Sequence, residues 1–169
     1  MSGVDLVALV FVALLGVAAV SDLLTMTIPN KLTVAFAIGF PVVAIIAGLP
    51  AASVALHLAA GLGVLAFCFA LFAAGWIGGG DAKLAAAIAL WLGPTAVLLQ
   101  WGILASVFGG LLTLALLSAR QFPLPLFLMR QPWIERLHHR ATGIPYGIAL
   151  AAAGMAIYPQ AEIFTRLVA

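Results

Sequence analysis

Long apolar stretches broken at short intervals by Gly, Pro and Asn run through almost the whole chain, and the breaks divide them into six segments, 4–24, 31–49, 53–76, 81–92, 95–118 and 144–158. Pro29-Asn30 separates the first two, because proline turns the preceding residue away from helix and Asn30 can cap the next start. Gly48-Leu49-Pro50 divides the second from the third, Gly78-Gly79-Gly80 the third from the fourth, and Gly93-Pro94 cuts one apolar run into the fourth and fifth. A helix needs about 20 residues to cross a hydrocarbon core of roughly 30 Å. The pattern therefore predicts an all-α, polytopic membrane protein of about six transmembrane helices. Segment 81–92 is short for a span, so the fourth helix is expected to begin below the surface, in a cavity lined by protein.

Composition agrees with that reading. Of 169 residues, 66% are hydrophobic and 7% charged, which leaves no polar surface for a water-soluble domain and no length for a sizeable extramembrane one. One membrane-embedded domain over 1–169 is expected. A net charge of +2 is too small for a nucleic-acid-binding face, so no nucleic acid is implied as a partner. Cys68, the single cysteine, lies within an apolar run and reads as a buried thiol, which excludes disulfide frameworks and cysteine-zinc clusters. The first residues carry no Lys or Arg, so segment 4–24 reads as a retained span rather than a cleaved signal.

The basic residues report orientation. Lys31 follows the first segment, Lys83 the third, and Arg120, Arg130, Arg136 and Arg140 the fifth, while the two intervening connections hold none. Lys and Arg favour the cytoplasmic side, so six spans with both termini outside the cytoplasm place all but Arg166 inside. The long connection 119–143 is then a cytoplasmic loop, and Trp133, Ile134 and Leu137 share one face of an interfacial helix within it, directed toward lipid with the basic residues against headgroups. Membrane lipid is thus one expected partner.

An ionisable group inside a membrane costs at least ~2.5 kcal/mol, so each requires a reason. Asp5, Glu162 and Glu135 fall at segment ends or in the basic loop and read as solvated, Glu135 beside Arg136 or Arg140. Asp22 and Asp81 differ: one closes the first span, the other opens the fourth, and the orientation puts both at the cytoplasmic face. Asp81 follows three glycines that can take positive φ and admit another backbone, although a simple helix cap would also explain an aspartate there. Asp22 opposes the dipole of its own helix, which a purely structural residue has little reason to do. Two carboxylates that share one proton suit hydrolysis of a peptide bond, one taking a proton from water and the other giving one to the carbonyl oxygen. The helix ends assign Asp81 as base and Asp22 as acid. Lys83 can meet a substrate carboxylate or a lipid headgroup, or simply set topology. His57 reads as a hydrogen-bonded histidine near the outer end of its helix, and no His pairs with a carboxylate at metal-ligand spacing, so no metal and no cofactor is implied.

Asp22 with Ile28-Pro29-Asn30, then Gly78-Gly79-Gly80-Asp81-Ala82-Lys83-Leu84, then Ile144-Pro145-Tyr146-Gly147, resembles in order and spacing the prepilin peptidases, intramembrane aspartic proteases with a Gly-x-Gly-Asp motif. The resemblance implies removal of a short basic leader from type IV pilin-like precursors at the cytoplasmic edge of the bacterial inner membrane. Asp22 and Asp81 match the catalytic aspartates, Gly78, Gly79 and Gly80 the approach to the scissile bond, and Pro145, Tyr146 and Gly147 a motif entering the last helix near the site. Larger members add an N-terminal zinc-binding region and N-methylate the product. This chain opens on a span and so resembles the short form associated with tight-adherence (Flp-type) pili, which puts methylation in doubt. A transporter or channel with Asp22 and Asp81 on an ion path, and a non-catalytic subunit of a pilus machine, are the competing readings. The first would place polar groups at midplane, and the second would not need both aspartates. Neither the oligomeric state nor the precursor's identity follows from the sequence.

Overall fold

A computed structural model describes residues 3–168 as helices and short connections, with no strand among them. Six apolar helices follow the predicted segments closely: α1 (Gly3–Thr25), α2 (Asn30–Ile46), α3 (Ala51–Ala73), α4 (Gly79–Leu92), α5 (Ala96–Ala119) and α8 (Tyr146–Ile157). Between α5 and α8 lie two short helices, α6 (Leu126–Met129) and α7 (Pro132–His138). After α8, a 3-10 turn over Tyr158–Gln160 leads into α9 (Glu162–Val168), which the apolar pattern did not predict. The chain is an all-α membrane protein. Three stretches, Leu6–Thr25, Ala51–Ala73 and Ala96–Ala119, are long and apolar enough to cross a bilayer, and α2 is a shorter apolar helix.

The remaining two apolar helices are short, α4 with 14 residues and α8 with 12. At about 1.5 Å per residue they reach only roughly 20 Å. Their position explains why this is tolerated. α4 packs against α2, α3 and α8, and α8 against α1, α4 and α5. Every α4 residue from Leu84 to Leu92 is buried, whereas α1, α3 and α5 turn Val17, Leu62 and Leu114 outward. The short helices are thus the interior of the bundle, and protein rather than lipid surrounds their ends.

Each end of the interior is pinned by a few directional contacts. At the C-terminal end of α4, the Trp91 indole lies 5.0 Å from the Phe11 ring and 6.0 Å from that of Phe164, so α1, α4 and α9 meet in one aromatic cluster. The Trp91 Nε1–H donates to the Phe36 carbonyl at 3.0 Å, tying α4 to α2. His57, 1% exposed, donates from Nδ1 to the Leu90 carbonyl at 2.8 Å and stacks on Phe40. Gly93 ends α4 at φ +70°, and a Cβ there would come within 2.7 Å of the His57 ring, so position 93 needs glycine for both conformation and space. Glu162, expected in solvent, instead sits 3.9 Å from His57 Nε2 and bonds Arg166 one turn on at 2.8 Å, because α9 folds back over this end. The side chain of Asp5 lies outside the described residues.

At the opposite end the connection between α5 and α8 is fastened to the bundle by arginines. Arg120, 8% exposed, donates from Nε to the Leu137 carbonyl at 2.7 Å and from Nη2 to that of Gly143 at 3.0 Å. Arg136 gives Nη1–H to the Leu24 carbonyl at 2.6 Å, satisfying an orphan acceptor at the C-terminal end of α1 instead of pairing with Glu135. Leu137, expected to face the acyl boundary, is buried against the bundle. Replacing Arg120 with Met leaves the buried Leu137 carbonyl without a donor, which costs about 1–3 kcal/mol, and returns the carbonyl of the exposed Gly143 to solvent. The expected outcome is faster protease nicking within 121–143 at unchanged helix content; equal nicking rates would show that Arg120 does not fasten the loop.

Candidate active site

Asp22 lies three residues before the end of α1 and is 5% exposed. The chain leaves that helix through Met26, held at φ 55° in the left-handed region by its N–H bond to the Asp22 carbonyl at 2.8 Å. A left-handed conformation is costly for a side chain larger than Gly or Asn, so the surrounding contacts must hold it there. Hydroxyls supply them: Ser21 Oγ donates to the Thr27 carbonyl at 2.8 Å and Thr25 Oγ1 to the Ser21 carbonyl at 2.7 Å. The exit from α1 is thereby folded into a compact turn that presents Thr27 and Ile28 beside Asp22.

Asp81 sits in the first turn of α4, whose N-cap is Gly78 in extended conformation, φ −73° and ψ 145°. Its carboxylate turns back toward the Gly78 amide, as a third-position acid does in a capping box. Capping and placement in the cleft are therefore compatible roles. The glycine run does not use positive φ, contrary to expectation; that conformation falls on Gly75, where α3 ends. The run serves close packing instead. A Cβ on Gly78 would lie 2.9 Å from Asp81 Oδ2, one on Gly79 3.3 Å from the Phe72 ring, and one on Gly80 3.3 Å from Ile28.

The third element is the start of α8. Pro145 is its buried N-cap, and the Gly147 N–H, one of the orphan donors of a helix N-terminus, donates to Asp22 Oδ2 at 2.7 Å. The same amide lies within reach of the Asp81 carboxylate, and the two aspartates are close enough for their charges to interact. A side chain on Gly147 would meet Asp22 Oδ2 and Ile28 Cδ1, both 2.8 Å from its Cβ. Oδ2 is thus the oxygen of Asp22 that accepts from the backbone, and Oδ1 is left for other partners.

Asp22, Asp81 and Gly78–Gly80 line one cleft of about 260 Å³, together with Met26, Thr27, Ile28, Asn30 and Lys83. Of the residues singled out in the sequence, Asp22, Gly78, Gly79, Gly80, Asp81 and Lys83 line it, and Gly147 reaches it through its amide. Tyr146 does not: its ring covers Gly109 of α5 and its hydroxyl lies 3.3 Å from Thr113 Oγ1, so it sets the seat of α8 from outside. Asn30 is not the cap of α2, whose N-cap is Pro29; its Oδ1 accepts from Lys83 Nζ at 2.9 Å across the mouth of the cleft. Ser21, Thr25 and Thr27 give no signal in the sequence because single hydroxyls at a helix end carry no spacing pattern, and nothing in the letter Met announces the left-handed turn at Met26. Among the described residues, no three His, Cys, Asp or Glu side chains are grouped to hold a metal ion.

The model of the type IV leader peptidase family matches residues 9–114, a stretch that contains both aspartates and the glycine run. The chain belongs to this family of peptidases. No curated protein and no solved structure matches it significantly. Pro145 and Gly147 lie beyond the matched stretch, so their place in this leader peptidase rests on the geometry alone.

That geometry is tight enough to test. Gly147→Ala puts a methyl group 2.8 Å from Asp22 Oδ2, inside contact distance, so the carboxylate must shift by several tenths of an ångström. A full 1 Å misplacement costs about 10²-fold in rate, and a shift of part of that about 10-fold. Cleavage of a pilin precursor is expected to fall by about the smaller factor while the protein inserts and folds; unimpaired cleavage would show that the Gly147–Asp22 contact does not set the site.

Proposed function

We propose that this leader peptidase is an aspartic endopeptidase that cuts the basic leader from type IV pilin-like precursors of the tight-adherence (Flp) class, at the cytoplasmic edge of the bacterial inner membrane. The observation that carries the proposal is the convergence of Asp22 and Asp81 in one cleft, under the N-terminal amide of a third helix. Two carboxylates so close titrate as a unit and can hold a single proton between them. With a water between them, the ionised member takes its proton as the oxygen attacks the peptide carbonyl, and the protonated member donates to the carbonyl oxygen. Collapse of the tetrahedral intermediate breaks the C–N bond, the leaving nitrogen takes up a proton from the pair, and the leader departs with the new carboxyl group.

The other residues of the cleft fit a peptide in this position. Gly78, Gly79 and Gly80 present backbone without side chains, so an extended substrate can come close to Asp81. Lys83, steadied by Asn30, stands at the mouth as a point charge, available to a carboxylate of the substrate or a lipid phosphate. Pro145 and Gly147 fix the donor that faces Asp22, and Tyr146 fixes α8.

The orientation rests on the grouping of cations at the aspartate end: Lys83 lines the cleft, and Arg136 reaches the last turn of α1. Basic residues prefer the cytoplasmic side, which puts the cleft there and both termini outside. In this arrangement Trp133 is directed toward the acyl boundary and the exposed Arg130 and Arg140 lie against lipid headgroups.

Asp22→Asn and Asp81→Asn are each expected to abolish cleavage in purified, lipid-reconstituted protein while leaving insertion intact, since either removes a member of the proton-sharing pair. Glu at either position should also fail, because one added methylene shifts the carboxylate relative to the water. Substantial activity in an Asn variant would remove that residue from the pair. For topology, impermeant thiol labelling of single cysteines placed at 31, 130 and 140, in a Cys68→Ser background, should find all three on the cytoplasmic side. Labelling of 130 or 140 from the opposite side would invert the proposal.

A further inference from the structure

The bundle has a second cleft that the aspartate chemistry leaves unused. α2 and α3 each pack on α4 rather than on one another. Between them lies a groove of about 290 Å³ open to the side of the bundle. Its floor is the face of α4 carrying Lys83, Ala86, Ala87 and Leu90, positions spaced to form one helical stripe. Ala37 of α2 and Leu62 of α3, both exposed, form facing walls. Apart from Thr33 and Lys83, every group that lines it is apolar.

Two observations say what this groove is for. First, it adjoins the aspartate cleft, because Lys83 lines both. The antiparallel course of α3 and α4 places Leu58 and Leu90 at the far end and Leu65 and Lys83 at the end that opens on Asp81. Second, its floor is made for close approach and its walls are fixed. Gly61 lets α3 lie so near α4 that a Cβ would be 3.1 Å from that of Leu90. Hydrogen bonds from Trp91 to α2 and from His57 to α4 hold the flanking helices in place. Small residues on a lipid-facing surface let another helix backbone come near, which a fluid acyl chain does not require.

We propose that the groove between α2 and α3 seats the apolar helix of the precursor, so that the residues at the end of that helix pass Lys83 and enter the aspartate cleft. The occupant is a single uncharged membrane helix with a polar junction at one end; the inference rests on the peptidase reading above. The groove runs over about two turns of α4, roughly 10 Å from Leu90 to Lys83. Helical geometry is held along this length and given up only beyond Lys83, where the glycine run leaves room for extended backbone. Recognition of the helix and cutting of the junction are then separate steps on adjoining surfaces.

The test compares a full precursor in proteoliposomes with a soluble peptide that spans the leader junction but lacks the apolar helix. Ala37→Trp and Leu62→Trp should raise the apparent KM for the precursor by about tenfold or more at similar kcat, and leave cleavage of the peptide unchanged. Ile103→Trp, on the outward face of α5, should change neither. An unchanged KM for the precursor, or an equal loss with both substrates, would overturn the proposal. A photo-crosslinking residue at position 62 in Asp81→Asn protein gives a readout without catalysis: capture of the precursor's apolar helix supports docking, and capture of lipid alone refutes it. Were wild-type protein to cut neither substrate, the peptidase reading would fall, while the crosslink would still decide whether the groove binds the helix.

Discussion

The architecture turns on a single donor, the amide of Gly147, and on the carboxylate it meets. A chain with so few charges gains nothing from placing an aspartate 5% exposed near the C-terminal end of its first helix, where the dipole opposes it. The opposition is removed from outside that helix. α8 begins against Asp22, its first free N–H bonds Oδ2 at 2.7 Å, and its positive end faces the carboxylate. α4 does the same for Asp81 from within its own first turn. Both aspartates are therefore held by helix N-termini, and the protein needs no counter-cation among its buried side chains at this point.

That arrangement determines the lengths of the helices. A helix that crosses the whole membrane opens in the headgroup region, where its orphan amides are hydrated. For amides to face carboxylates inside the bundle, α4 and α8 must start inside it, which is why they have 14 and 12 residues while α3 and α5 have 23 and 24. Shortness in turn demands that protein surround both ends. At the aspartate end this is done by the turn after α1 and by the loop that Arg120 and Arg136 fasten down. At the other end α9 returns over Trp91 and His57 and brings Phe164 into the aromatic cluster.

Much of this is legible in the chain itself, because a membrane makes hydropathy a direct record of helices. The six apolar segments, the breaks at Pro29, Gly93 and Pro94, and the pairing of Asp22 with Asp81 at one end follow from period, breakers and the positions of cations. What escapes is whatever depends on backbone donors and on contacts distant in sequence. Nothing around Gly147 announces that its N–H will meet a residue 125 positions earlier, and glycine in a membrane helix reads first as packing. The glycines before Asp81 were legible as necessary but not for the right reason, since torsion angles cannot be read from a letter while contact distances decide here. The partners of Arg120 and Arg136 escape for a related reason: a carbonyl left free at the end of α1 or in the loop becomes a partner only once the fold exists. α9 went unseen because Glu162 and Arg166, which pair with each other one turn apart, interrupt its apolar pattern.

The same contacts bear on the choice between a hydrolase and a conduit for ions. A conduit needs polar groups in succession from one side of the bundle to the other. Among the described residues of these helices, the acidic and basic side chains gather at two ends, Asp22, Asp81 and Lys83 at one and His57 with Glu162 at the other. Between them α4 presents Leu84, Ile88 and Leu92, all fully buried and without a polar atom in their side chains. Carrying a charge along that helix would mean stripping it of water with no compensating group, a cost of several kcal/mol at the least. Two carboxylates gathered in one cleft, with a helix N-terminal amide on Asp22 and glycines beside Asp81, are the arrangement on which the proposed hydrolysis rests, and they are not a link in a path from one end to the other.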